Sequence, residues 1–387
     1  MENFFFQPQT RNEPVSLSAP REFHFRLPGY SPTPLHDAPE IARSLGIRQL
    51  LIKDESRRFG LPAFKILGAS WAIYRALQDR HGGSVEPWHN LQELERKFAP
   101  LGPLRLTTAT DGNHGRAVAH VARLFGFDAR IYVPAGTAQA RIDGIASEGA
   151  EVKVVDGTYD DAVARAALDA GERCLVISDT SWPGYEEIPR RVMEGYSTIF
   201  SEIDDELSRR GQEAPNLIAV QFGVGALAAA VVRHDWRDPR PRFLSVETLR
   251  AACALASIVA DKIVSVPGPH DSIMAGLNCG RVSLLAWPIV SRGIDAFIAI
   301  SDERAIEAMR ILARAGIVAG ETGAAGLAGL IEVLNGADNL ERRKLLQLDH
   351  CTRALIIITE GATDPEAYRQ IVGRDPIQVS PARREAL

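Results

Sequence analysis

The sequence predicts an α/β fold built on a mainly parallel sheet with helices on both faces. Short apolar runs of strand length alternate with helix-length segments along most of the chain. Almost every polar or glycine-rich motif directly follows one of those runs, where open parallel sheets place their ligands. At 387 residues the chain is long enough for a large core, either two domains or one domain with an inserted lobe.

The strands are predicted at 48–52, 104–108, 129–133, 151–155, 175–178, 217–221, 243–247 and 354–358. A helix is expected from about residue 66. Its Ile66, Ala69, Ile73 and Leu77 fall on one face, which would pack on a sheet. Alanine-rich segments at 117–125 and 159–170 are further helices. Proline-rich tracts at Tyr30-Ser31-Pro32-Thr33-Pro34 and after Asp375 are expected to wrap the surface. No heptad run or repeat of 20–50 residues occurs.

Composition excludes several classes. Hydrophobic residues make up 45% and charged residues 24%, the balance of a folded soluble protein. The net charge of -5, from 49 acidic and 44 basic residues, argues against a nucleic-acid partner. No stretch of about 18 apolar residues predicts a membrane span, and Met1 to Phe6 lacks the basic start of a signal peptide. Cys174, Cys253, Cys279 and Cys351 are scattered, without the spacing of a zinc site, so no metal is expected. So few cysteines suit a reducing cytoplasm.

Three local features bear on chemistry. In Phe59-Gly60-Leu61-Pro62-Ala63-Phe64-Lys65-Ile66, one lysine stands at a helix start among apolar neighbours. Helix terminus and burial both disfavour an ammonium, so a lowered pKa and an amine able to attack an aldehyde are expected. Taken alone, a solvated lysine with a snorkelling stem is the better reading. Phe222-Gly223-Val224-Gly225-Ala226 joins a strand to a helix and could offer backbone N–H groups to a phosphate. Tight strand–helix packing explains the glycines equally well, and neither a nucleotide P-loop nor a dinucleotide fingerprint is present. Thr108-Ala109-Thr110-Asp111-Gly112-Asn113-His114-Gly115 could hold a carboxylate, or could be a helix start capped by Thr110 or Asp111.

Together with these, further motifs occur in a fixed order: Lys53-Asp54-Glu55-Ser56, Asp179-Thr180-Ser181-Trp182-Pro183-Gly184-Tyr185, Ile273-Met274-Ala275-Gly276-Leu277, Gly320-Glu321-Thr322-Gly323-Ala324 and Thr359-Glu360-Gly361-Ala362-Thr363-Asp364. From about residue 30 to 368 the chain resembles the fold-type II pyridoxal-phosphate enzymes, the tryptophan-synthase-β and threonine-dehydratase group. Within that group it is most similar to the diaminopropionate ammonia-lyase family. The resemblance implies two open, twisted, mainly parallel sheets in a large and a small lobe with the cofactor between them. The large cofactor-binding lobe is expected at 1–98 and 187–387, the small substrate-loop lobe at 99–186.

The resemblance also implies roles. Lys65 would carry pyridoxal 5'-phosphate, Asn113 would bond its ring hydroxyl, and Gly223, Val224, Gly225 and Ala226 would hold its phosphate. Ala229 and Ala230 stand where relatives often have glycine. Thr359 would face the ring nitrogen; a hydroxyl there, unlike a carboxylate, does not force protonation, which favours β-elimination over transamination. Thr110, Asp111, Gly112 and His114 would receive the substrate, although a structural role for His114 fits as well. Lys65, Asp111 and Asp179 would be catalytic, with Asp111 taking the α-proton of a D-substrate and Asp179 serving the L-substrate or the leaving amine. Two carboxylates also suit a substrate with a second, cationic amine. Tyr159 and Tyr185 are candidate lining residues, and Cys253 and Cys279 are expected to be unrelated thiols rather than a regulatory pair. The expected reaction is elimination of ammonia from 2,3-diaminopropionate by a cytoplasmic homodimer. A serine, threonine or 3-hydroxyaspartate dehydratase is the rival reading, and a non-catalytic cofactor binder a more distant one.

Overall fold

The computed structural model describes residues 3–9, 18–236 and 239–379. Among the described residues eleven strands form two sheets: β1 (Phe4–Phe6), β2 (Leu35–Asp37), β3 (Gln49–Asp54), β4 (Arg105–Ala109), β5 (Asp128–Pro134), β6 (Glu151–Val155), β7 (Cys174–Val176), β8 (Leu217–Gln221), β9 (Arg242–Thr248), β10 (Ala296–Ile300) and β11 (Arg353–Ile358). All eight strands expected from the sequence are present within one or two residues. The three that were not anticipated are β1, β2 and β10.

The described chain divides into two compact units. One takes in residues from 1–16, 32–57 and 199–387, the other residues 17–31 and 58–198. The boundaries expected from the sequence are therefore corrected: Lys65 and its helix belong with the smaller sheet. The reason is packing, because the helix Ile66–His81 lies against the helices Glu187–Gly195 and Asn113–Leu124 of that unit.

The first unit holds a seven-stranded sheet in the order β1-β10-β9-β8-β11-β3-β2. Its five inner strands are parallel, and the edge strands β1 and β2 run antiparallel. Every residue of β8 and β10 is buried, as expected for parallel strands covered on both faces. Thr33 in the proline-rich arm is no surface wrapping: it is buried, and its hydroxyl donates to Glu55 at 2.6 Å. The buried Lys53 ammonium pairs with Glu202 at 2.6 Å and donates to the Thr33 carbonyl. The tail after Asp375 forms a short helix, Pro376–Val379, and then leaves the described residues.

The second unit holds a four-stranded parallel sheet in the order β6-β5-β4-β7. The helix Ile66–His81 differs from expectation. Ile66, Ala69, Ile73 and Leu77 are buried, but so are Leu67, Gly68, Ser70, Trp71, Ala72, Tyr74 and Ala76. A helix buried nearly all round is a central pillar rather than a surface helix with one apolar stripe. No helix among the described residues is long and apolar enough to cross a membrane.

Candidate active site

In the second unit, three segments far apart in sequence meet. Lys65 is the N-cap residue of the helix Ile66–His81. Asp179 stands three residues beyond β7, and Asp111 follows β4 by two. Lys65 Nζ donates to Asp179 Oδ2 at 2.6 Å; the Asp179 side chain is 6% exposed and that of Lys65 21%. Asp179 Oδ1 accepts from the Tyr159 hydroxyl at 3.1 Å.

This pairing reverses one expectation. Burial is the largest single influence and lowers the pKa of Lys65, but the charge and hydrogen bond of Asp179 together with Tyr196 and Asp111 outweigh it. The ammonium is held above its ordinary range. Burial would raise the Asp179 carboxyl; Lys65 and His114 instead pull it below the usual carboxylate range. The sequence showed the helix terminus and the apolar neighbours, but not a carboxylate supplied from 114 positions away.

The loop after β4 is also resolved. Neither Thr110 nor Asp111 is the cap residue of the helix Asn113–Leu124; Gly112 is, with φ of +146°, a conformation that favours glycine. Thr110 Oγ1 nevertheless performs the capping, accepting from the N–H of Gly112 at 2.8 Å and of Gly115 at 3.0 Å. Asn113 opens the helix as its first residue. His114 is buried and its Nε2 lies 2.8 Å from the Ile177 carbonyl. A carbonyl only accepts, so the proton resides on Nε2 and the buried Nδ1 has no partner among the described residues. Burial pushes the imidazole pKa down, against the pull of Asp179. Its observed partner is structural. Tyr185, stacked on Trp182 with ring centroids 4.1 Å apart, donates to the Val176 carbonyl at 2.7 Å and accepts from Ser178 N–H at 3.0 Å. It braces the segment that carries Asp179.

The first unit assembles a second, uncharged cluster. β8 leads into Gly223, Val224, Gly225 and Ala226, and the helix Ala226–Arg233 begins there with Gly225 as N-cap. A Cβ on Gly223 would lie 2.6 Å from the Gly276 carbonyl, so only glycine fits. Ala229 is fully buried. Cys253 and Cys279 are both buried. Cys253 Sγ is 3.8 Å from the Gly223 carbonyl.

Gln221, at the end of β8, was missed. Its side chain ties the separate motifs together: Nε2 lies 2.9 Å from Thr359 Oγ1, 2.9 Å from the Ile357 carbonyl and 3.1 Å from the Thr322 carbonyl. Thr322 Oγ1 in turn accepts from Gly276 N–H at 3.1 Å. A polar residue closing an otherwise apolar strand, just before the glycine loop, was the signal available in the sequence.

Two parallel-sheet units, a lysine held by carboxylates and a glycine turn opening a helix define a class. The chain belongs to the pyridoxal-phosphate dependent enzymes, the family it matches over residues 26–348. More particularly, it is 37% identical over 366 residues to the diaminopropionate ammonia-lyase of Salmonella typhimurium, covering 90% of each chain. It is similar to the crystal structure of Escherichia coli diaminopropionate ammonia lyase in complex with D-serine, with a TM-score of 0.85 and 34% identity. That match covers 96% of this chain and 98% of the other. Maize serine racemase, at 23% identity and a TM-score of 0.70 over 92% of this chain and 96% of that one, shares the fold.

Pyridoxal phosphate is the cofactor, and the residues present fit it. The N–H groups of Val224, Gly225 and Ala226 have no backbone acceptor among the described residues. They stand at a helix N-terminus where Gly223 permits close approach, which suits a phosphate dianion.

Proposed function

We propose that this protein eliminates ammonia from 2,3-diaminopropionate, giving pyruvate and a second ammonia. The observation that carries the reading is the lysine flanked by two carboxylates. Asp179 touches the Lys65 ammonium and the charge of Asp111 acts on it. A substrate with a cationic amine at each of two carbons finds charge partners here, whereas a hydroxy acid has one cation to offer. The 37% identity to the Salmonella enzyme supports the same substrate class.

When bound, pyridoxal phosphate supplies an aldehyde for the substrate amine and a ring that withdraws electrons from the α-carbon. Lys65 would anchor the cofactor, and its Nζ, when free, would receive or deliver a proton. Asp179 holds Lys65 and passes a proton towards the leaving β-amine; Tyr159 keeps the Asp179 carboxylate oriented. Asp111 takes the α-proton when the substrate is of the D-form. Asn113 would bond the ring hydroxyl, the N–H groups from Gly223 to Ala226 would hold the phosphate, and Thr359 would serve the ring nitrogen. Thr110, Gly112 and His114 shape the loop that receives the substrate carboxylate. Because Thr110 already binds the N–H groups of Gly112 and Gly115, its part is to shape the loop rather than to touch the carboxylate.

The reading extends to a homodimer working in the cytoplasm, which the few cysteines support; light scattering of the purified protein tests the dimer. The substrate is tested by a panel of amino acids scored for both products. Two ammonia per pyruvate from diaminopropionate is the expected result. One ammonia per pyruvate, from serine or threonine in preference, would replace this reading with a dehydratase.

A further inference from the structure

The tyrosine that ends the helix Glu187–Gly195 packs on the residues around Lys65. Tyr196 is the C-cap residue of that helix and is fully buried. Its ring centroid lies 4.7 Å from that of Phe64, the residue before Lys65. The ring also covers the first turn after Lys65, where a Cβ on Gly68 would lie 2.6 Å from Tyr196 Cε1. Residues on both sides of Lys65 thus hold the ring, and glycine at 68 lets it come so close.

This packing brings a hydroxyl towards the lysine and leaves it unused. Tyr196 Oη is buried and has no hydrogen-bond partner among the described residues. Such a group has lost its bonds to water, and most buried polar atoms replace them. Phenylalanine would fill the same space without that cost. The hydroxyl is nevertheless close to charge, since Lys65 and Asp179 both act on it. In turn it acts on Lys65 less than Asp179 does and more than Asp111 does. Burial pushes its pKa above the ordinary phenol value, so at neutral pH it is an uncharged hydroxyl.

Lys65 gives one proton of Nζ to Asp179 at 2.6 Å. A carboxylate at that distance holds the lysine as an ammonium, which can neither attack an aldehyde nor take up a proton. A phenol oxygen accepts from an N–H without favouring the charged form to the same extent. Of Asp179, Tyr196 and Asp111, which all act on Lys65, only Tyr196 is uncharged.

We propose that Tyr196 is a positioning residue: when Lys65 leaves Asp179, the Tyr196 hydroxyl accepts a hydrogen bond from Nζ and holds the lysine as a directed, uncharged amine. The inference rests on the proposed role of Lys65 as the anchor of pyridoxal phosphate. Protons balance within the pair: one N–H bond of the ammonium breaks, one O–H bond forms on Asp179, and both side chains become neutral.

The test compares the full-length wild type with Tyr196→Phe, which removes one oxygen and keeps the ring. Stripped of cofactor, the variant is expected to melt up to about 3 °C higher, because a buried group without a partner has gone. After mixing with pyridoxal phosphate, absorbance of the lysine adduct should develop about tenfold more slowly in the variant. In the loaded enzyme kcat should fall about tenfold, with KM changed less than about twofold. A variant that melts below the wild type would show a structural hydroxyl. An adduct formed at the wild-type rate would show an idle one, and either result overturns the inference. Borohydride reduction and peptide mapping of the wild type test the premise separately. Label on Lys65 upholds it, whereas label on another lysine overturns the reading of Lys65 and this inference with it.

Discussion

The two units solve opposite electrostatic problems. The cluster around Lys65 is built from charges, with Asp179 in contact and Asp111 acting at longer range, and the pairing displaces the pKa values of Lys65 and Asp179. The side chain of Gln221 bonds only to uncharged partners, a hydroxyl and backbone carbonyls, beside the N–H groups of a helix start. The difference follows from what each must do. Protons move only between groups that can change charge, whereas a phosphate and a ring nitrogen are held in one state best by dipoles that cannot titrate. Charge is thus concentrated in the cluster proposed to do proton chemistry, whereas the groups proposed to fix the cofactor are dipoles.

The largest effect should come from the charged cluster. Lys65→Ala is expected to abolish the yellow lysine adduct and to lower kcat by about 10⁴-fold or more. The absorption spectrum with and without borohydride checks this. A reducible chromophore on another lysine would remove Lys65 from its place in the comparison.

Asp179→Asn should cost about 10²- to 10³-fold in kcat, and it has a pH signature. A carboxyl held below its usual range contributes stability above the unfolded value near pH 4 and loses it as pH falls through the folded value. A lysine held above its range contributes below about pH 10 and loses that as pH rises. The pair therefore stabilises between these limits. In that window Asp179→Asn should be less stable by about 1–3 kcal/mol, less than for a fully enclosed pair because Lys65 reaches solvent. Thermal melts of both proteins should converge below pH 4. A difference that stays constant into acid would mean that Asp179 acts through packing. Asp111→Asn is expected to reduce turnover of D-diaminopropionate about 10²-fold and to spare the L-form; steady-state rates on the two enantiomers decide it, and equal losses would make Asp111 a shared or structural group.

What the sequence made legible divides along similar lines. The glycine loop and the strands before it were readable, because close approach and buried parallel strands leave local traces: the run 217–221 and β8 coincide. The strands β1 and β2 have three residues each, too few to show a period. β10 was overlooked because two of its five residues are alanine, which weakens the strand signal. The protonation state of Lys65 was read in the wrong direction, since it depends on a contact made by folding. Gln221 was overlooked for the same reason: three of its acceptors lie more than a hundred positions away.

The smallest expected effect probes the uncharged cluster. Gly223→Ala introduces a methyl group 2.6 Å from the Gly276 carbonyl, so one backbone segment must retreat. Such overpacking typically costs about 1–3 kcal/mol. If the loop holds phosphate through its N–H groups, the retreat should weaken cofactor binding about tenfold. The lysine chemistry of the other unit should stay intact, so turnover recovers when pyridoxal phosphate is supplied in excess. Titrating cofactor into the variant while following activity and melting temperature measures both. Recovery of kcat at saturating cofactor is what a dipolar holder predicts, because the loop changes no charge during the reaction. A kcat that stays depressed when the site is full would mean that the loop also takes part in the proton chemistry, and the separation of labour between the two units would be lost.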